Sequence, residues 1–201
     1  MKLEPHPDRF ETACGLIISV IASFLAILQT SGDNYKSETL KAVNEKAQAY
    51  QWQQSKSIKQ NLVEGQVAII EILVQSKVIQ AKDTAVLNKN LDKLRKRAAR
   101  YEKDKDEILR GSEAVGKENW TQEINGKFGG VIGAKEWEKT IDYYDKKNDR
   151  ADLASIFLQI GIVIGGLSLI LQEHKLKLGF FYTTITLGTI GFILGLYALF
   201  S

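Results

Sequence analysis

The chain has 201 residues, of which 25% are charged, with a formal net charge of +3 and one cysteine, Cys14. So small a basic excess gives little long-range attraction to nucleic acid, and a single cysteine excludes an intrachain disulfide. The mean hydropathy of −0.15 averages over two solvents. Almost all the charge lies between Asp33 and Asp152, while three runs, Thr12–Gly32, Leu153–Gln172 and Leu178–Ser201, carry none.

Residues 1–11 contain Pro5 and Pro7 and read as a polar tail. The first apolar run reads as a retained helix rather than a cleaved signal, because Glu4, Asp8 and Glu11 interrupt a basic leader and the run is long. It defines a first transmembrane helix over residues 12–32. Gly15 and Ser19 recur at four-residue spacing along it, a small-residue stripe that lets another helix approach closely.

The charged block, residues 33–152, reads as an extramembrane helical stalk. Over about 34–81 no proline interrupts a helical pattern in which Leu40, Val43, Ala47, Tyr50, Gln54, Ser57 and Asn61 keep 3–4 spacing, which predicts a coiled-coil seam. Val67–Ile79 is apolar on two faces and predicts a helix buried on both sides in a bundle. Asp83 is a candidate N-cap for a second helix over about 84–109, in which Leu87, Leu91, Leu94, Ala98, Tyr101 and Ile108 hold heptad register. Segment 111–133 contains six glycines and predicts an irregular connector. From Ala134 a helical pattern resumes with Trp137, Ile141, Tyr144, Asn148 and Ala151, and no breaker separates it from Leu153. One helix is therefore predicted to run from the stalk into the second apolar run.

At ~1.5 Å per residue, the run 153–172 is about 30 Å long, the thickness of a hydrocarbon core. A five-residue linker joins it to 178–200, which forces an antiparallel hairpin. Gly161 and Gly165 on one arm and Gly188, Gly191 and Gly195 on the other supply close-packing surfaces. The predicted fold is thus an all-α membrane protein: three transmembrane helices, with a long helical-hairpin or coiled-coil stalk between the first and second. Lys175 and Lys177, with Lys2 and Arg9 on the same side, place the N-terminus in the cytoplasm and the stalk outside.

Chemistry is sparse. His6, His174 and Cys14 do not form a metal-ligand pattern, and neither a nucleophilic triad nor a phosphate or dinucleotide loop is present. The sequence therefore predicts no cofactor, no enzymatic activity and no small-molecule substrate. Glu102, Asp104, Asp106 and Glu107 alternate with lysines and read as a solvated helix face. Lys93, Arg95, Lys96, Arg97 and Arg100 form a basic cluster that reads either as a solvated flank or as a contact for an anionic surface. Tyr50, Trp52, Lys56 and Lys59 are a candidate interaction face, with a polar layer in a coiled coil as the alternative.

The segment Ala47–Leu62, with Trp52, Lys56, Ser57, Lys59, Gln60 and Leu62, resembles the signature stretch of a bacterial membrane family catalogued as domain of unknown function 4337. The similarity extends to Ala99–Lys105 and to the approach Asn148–Leu153 into a closing hairpin, and departs at Gly111–Gly133. It implies the same architecture in a bacterial inner membrane and carries no catalytic residue. The function expected is a scaffold or accessory subunit that self-associates or docks to an envelope complex, with membrane lipids and a homo-oligomer or larger membrane complex as partners. The alternative is a small homo-oligomeric channel lined by Gln159 or by Thr183, Thr184, Thr186 and Thr189.

Overall fold

A computed structural model describes residues 9–76 and 81–200, without the side chains of 81–84. Most of the polar tail, the end of the Val67–Ile79 stretch and the side chain of Asp83 lie outside the described residues. The chain is almost wholly helical: α1 (Arg9–Gln75), α2 (Ala81–Arg110), a single turn α3 (Ser112–Val115), a 3-10 turn at Lys117–Asn119, a hairpin β1 (Glu123–Ile124) and β2 (Lys127–Phe128), α4 (Ala134–Ile170) and α5 (His174–Phe200). With no proline beyond Pro7, nothing removes a backbone donor from α1, which stays unbroken for 67 residues. It passes through Gly65 without a turn. The break before α2 falls after Gln75, earlier than the Lys82–Thr84 position suggested by the N-cap signal, and the α4–α5 link is three residues rather than five.

Two compact units divide the chain, Met1–Leu40 with Asp142–Ser201, and Lys41–Ile141. In the first unit α1, α4 and α5 each contain a stretch long and apolar enough to cross a membrane. Their core is Ile21, Leu28, Ala151, Ala154, Leu158 and Ala198. Glycines bring the helices close. A Cβ at Gly188 would lie 2.6 Å from Ile21, one at Gly191 2.7 Å from Leu158 and 3.1 Å from the Ala154 carbonyl, and one at Gly165 2.9 Å from Ile18. Cys14 is buried against Ser168, with Sγ and Oγ 3.1 Å apart. Aromatic and charged side chains collect at both ends of these apolar stretches, where interfacial anchors of a membrane span would stand. At one end Phe10 packs on Phe181 and Lys177 sits 4.7 Å from the Phe10 ring. At the other Arg150 lies over Tyr197 and Lys147 over Tyr143 and Tyr35. The hydrogen bond with Tyr143 is the main cause that raises the Lys147 ammonium above its ordinary pKa.

In the second unit α1 and α2 run antiparallel: Ala49 packs near Ile108, Lys56 pairs with Asp104, and Glu71 pairs with Arg95. Here the α1 seam differs from the one expected. Its covered side is Ala42, Ala49, Lys56 and Val63, spaced by seven, with Trp52, Gln60, Val67, Ile70 and Val74 beside them. Leu40, at 64% exposure, and Val43, Ala47, Tyr50 and Gln54 instead face outward in both units' parts of α1. The reason is steric. Ala42 and Ala49 let neighbouring helices approach more closely than the larger apolar residues would, so the smaller stripe wins the interface. Ile69 and Ile72 are likewise over 60% exposed, so Val67–Ile79 is covered on one side only over its described part. On α2 the expected register is found, with Leu91 and Ile108 buried and Leu87, Leu94, Ala98 and Tyr101 half-buried.

Candidate functional site

The most built part of the second unit begins with a carboxylate. Glu107 lies in the last turns of α2 and is 0% exposed, not on the solvated face that its charged neighbours suggest. Its Oε2 accepts from the Thr121 backbone N–H at 2.7 Å, the Gln122 N–H at 2.9 Å and the Thr121 hydroxyl at 3.1 Å, and its Oε1 accepts from the Ser112 hydroxyl at 2.8 Å. Four donors from a segment with little helix or strand of its own thus converge on one side chain. Ser112 then ties both ends of that segment together, its N–H donating to the Val131 carbonyl and its Oγ accepting from the Val131 N–H, each at 2.9 Å.

Within the loop so fastened, Asn125 and Gly126 both have positive φ and form the two-residue turn of the β1–β2 hairpin, with Glu123 opposite Phe128. This is the Asn-Gly signal of a type I′ hairpin. Trp120 donates from Nε1 to the Ser112 carbonyl at 2.7 Å and lies over Gly129, where a Cβ would be 2.5 Å from the ring. At the far end Glu136 accepts from the Gly133 N–H at 2.8 Å and caps the start of α4. Residues 111–133 are therefore a folded knob rather than an irregular connector.

The knob sets Ile124, Gly130, Val131 and Ile132 opposite Trp52 and Ala49 of α1 and Trp137 of α4, leaving a groove of about 440 Å³ between them. Trp52 is rooted on the cluster Ala49, Ile108 and Ala134. Glu45 is the only ionisable side chain in the lining, with Gln48 beside it. Two indoles, branched aliphatic residues and one carboxylate line the groove. Among the described residues no three His, Cys, Asp or Glu side chains converge as metal ligands would.

One helical turn along α1 from Trp52, Lys56 donates to Asp104 at 2.7 Å, and Asp104 is 2% exposed. The second Asp104 oxygen and the Gln60 carbonyl oxygen are buried without a partner. Lys105, followed by Gln60, hydrogen-bonds Glu102 and holds its carboxyl below the usual range.

A family model for a domain of unknown function, DUF4337, matches residues 10–201. The chain belongs to the DUF4337 family. No curated protein and no solved structure matches it. In this DUF4337 chain the candidate interaction face separates. Trp52 lines the groove and Lys56 is committed to Asp104, while Tyr50 donates to Glu138 at 3.3 Å and Lys59 is exposed. Gly161, Gly165, Gly188, Gly191 and Gly195 all lie against neighbouring span residues, whereas Gly15 has no atom within 4 Å of its Cβ position and the Ser19 hydroxyl donates to the Gly15 carbonyl of its own helix. Of the basic cluster, Arg95 pairs with Glu71 and Lys96 with Asp92, and Lys93, Arg97 and Arg100 are exposed. Thr183, Thr184, Thr186 and Thr189 donate to carbonyls one turn back on α5, which satisfies their hydroxyls within the helix. Glu107 and the Asn125-Gly126 turn escaped the reading from sequence. The dipeptide was the available signal for the hairpin, and nothing local marks Glu107.

Proposed function

We propose that this DUF4337 protein is a non-enzymatic, membrane-anchored adaptor whose extramembrane unit docks an apolar segment of an envelope protein and self-associates. The observation that carries the reading is the groove walled by Trp52 and Trp137. Large aromatic side chains seated in a concave apolar site beside a lone carboxylate have the composition of an interface hot spot. A rigid knob fastened on Glu107 supplies the opposite wall, which favours docking because a preformed site loses little entropy on binding. Self-association is supported by a second surface, the outward stripe of Ile58, Leu62, Ile69 and Ile72 on α1, each about 60% exposed. A bacterial inner-membrane setting with the stalk outside is the orientation that the positive charge of Arg9, Lys175 and Lys177 at one end of the apolar stretches supports.

Photo-crosslinking in native membranes tests this. A crosslinkable residue at Ile132, on the groove rim, is expected to give an adduct of discrete mass that Trp137→Ala abolishes. The same residue at Lys103, exposed on α2 away from both the groove and the α1 stripe, is expected to give none. Equal labelling from both positions, or an Ile132 adduct indifferent to Trp137→Ala, would overturn the docking reading. Cysteines at Ile69 should join two copies across the α1 stripe, and their failure to do so under oxidation would remove self-association by that face.

A further inference from the structure

The first unit contains a polar notch of about 540 Å³ between α1 and α4, at the end of the spans where Asp33 and Asp152 stand. Asp33, Lys36 and Asp152 line it on the side of the charged block, and Gln29, Ser155 and Gln159 line it within the uncharged runs. Leu28 and Ile156 provide the apolar wall. Gln159 lies two helical turns beyond Asp152, about 10 Å into the apolar run, and Gln29 one turn beyond Asp33. Both amides are on the exposed surface of the unit, and among the described residues neither has a hydrogen-bond partner. Hydrocarbon cannot satisfy an amide, so polar groups at this depth call for a polar occupant.

The order of chemistry along the notch specifies that occupant. Two carboxylates and one ammonium stand outermost, amides and a hydroxyl lie deeper, and aliphatic wall accompanies them. A glycerophospholipid has the same sequence: charged head, ester carbonyls, acyl chains. On the charged side the net charge is negative. Lys36 stands 3.5 Å from one Asp152 oxygen and the Asn148 amide donates to the other at 3.1 Å, yet the Lys36 and Asp152 side chains are both about half exposed, so each retains a face for a ligand. The geometry points to a binding site for an aminophospholipid with an ethanolamine head. Its ammonium lies between Asp33 and Asp152 and donates to both, and its phosphate meets Lys36. The amides of Gln29 and Gln159 donate to the ester carbonyls. A phosphatidylglycerol head would set its phosphate beside two carboxylates with no cation to offer them. A choline head carries the charge but no N–H donor.

The test is native mass spectrometry of the full chain, released from micelles containing equal amounts of phosphatidylethanolamine, phosphatidylglycerol and phosphatidylcholine with identical acyl chains. One phosphatidylethanolamine per chain is expected, retained at least fivefold over either competitor. Asp33→Asn with Asp152→Asn should erase that preference, and Gln159→Leu should lower retention without changing the order of head groups. A photoactivatable phosphatidylethanolamine, used on the unaltered chain, should label residues 29–36 and 152–159, so the proposal does not rest on variants that fold. Equal retention of the three lipids, preference for phosphatidylglycerol, or labelling confined to other parts of the spans would each overturn it. So would exclusion of lipid by a second copy, detected as a disulfide between two Gln159→Cys chains.

Discussion

Replacing Glu107 should unfasten the knob while leaving the helices in place. The carboxylate accepts four hydrogen bonds, two from backbone N–H groups at 2.7 and 2.9 Å and two from hydroxyls at 2.8 and 3.1 Å. A bond to a charged acceptor contributes about 1.5–3 kcal/mol net, and bonds sharing one acceptor are not additive, so Glu107→Ala should cost about 3–5 kcal/mol locally. Glu107→Gln retains one acceptor oxygen but turns an amide N–H₂ towards other donors, and should cost about 1–2 kcal/mol. Hydrogen exchange of the full chain in micelles reads this directly. The Thr121 and Gln122 amides should lose about two to four orders of magnitude of protection in the alanine variant, with α2 amides before Tyr101 unchanged. Trp120 emission should shift red as its ring leaves Gly129. Protection of residues 112–131 that survives Glu107→Ala would refute the claim that this side chain organises the segment.

Other consequences follow from the packing. Lys56→Ala leaves Asp104 buried and unpaired and should destabilise by about 3–5 kcal/mol, whereas Lys56→Met with Asp104→Leu should come close to the parent; chemical denaturation in micelles measures both. Gly191→Ala places a methyl against Leu158 and the Ala154 carbonyl and should lower span stability by about 1–3 kcal/mol, whereas Gly166→Ala meets nothing within 4 Å and should be neutral or slightly stabilising, as a steric-trapping measurement would resolve. For Glu102, whose folded pKa lies below its ordinary 4.5 because of Lys105 and then Gln60, the stabilisation is present above pH 4.5 and lost as pH falls through the lower folded value. Glu102→Gln should flatten that part of the acid limb, and by little, since the side chain is 65% exposed.

Apolar run length and helical period are local signals, so the three candidate spans and the α2 register of Leu87 to Ile108 could be read without a structure. The α1 seam could not. Hydrophobicity alone favours Leu40, Val43 and Tyr50 over Ala42 and Ala49, but close helix packing rewards small size, and the chain contains two overlapping stripes of nearly equal period. Glu107 fails for a different reason. Flanked by Asp106 and one turn beyond Lys103, it has the signature of a solvated helix, and its partners Thr121 and Gln122 lie 14 and 15 residues downstream. Burial of a charge is then decided by tertiary donors that no helical pattern encodes. Trp52 was open to both packing and docking readings, and its position explains the ambiguity: one part of the ring is rooted on Ile108 and Ala134, and another lines the groove.

One buried pair decides which apolar stripe of α1 is covered and which is exposed. A buried Lys56–Asp104 pair contributes little net stability against a well-packed apolar pair, but a slip of one residue on α1 would strand both charges. Ala42, Ala49 and Val63 do not impose that constraint, since small apolar residues slide with little loss. The pair thus fixes the register of α1 against α2, and with it which apolar residues are covered and which are left outside. Ile58, Leu62, Ile69 and Ile72 are outward because Lys56 is inward. Removing the register lock with Lys56→Met and Asp104→Leu should therefore preserve stability yet reduce disulfide capture between copies at Ile69, as a second register buries part of that stripe. Undiminished capture in the double variant would show that the alanine seam alone positions the helix.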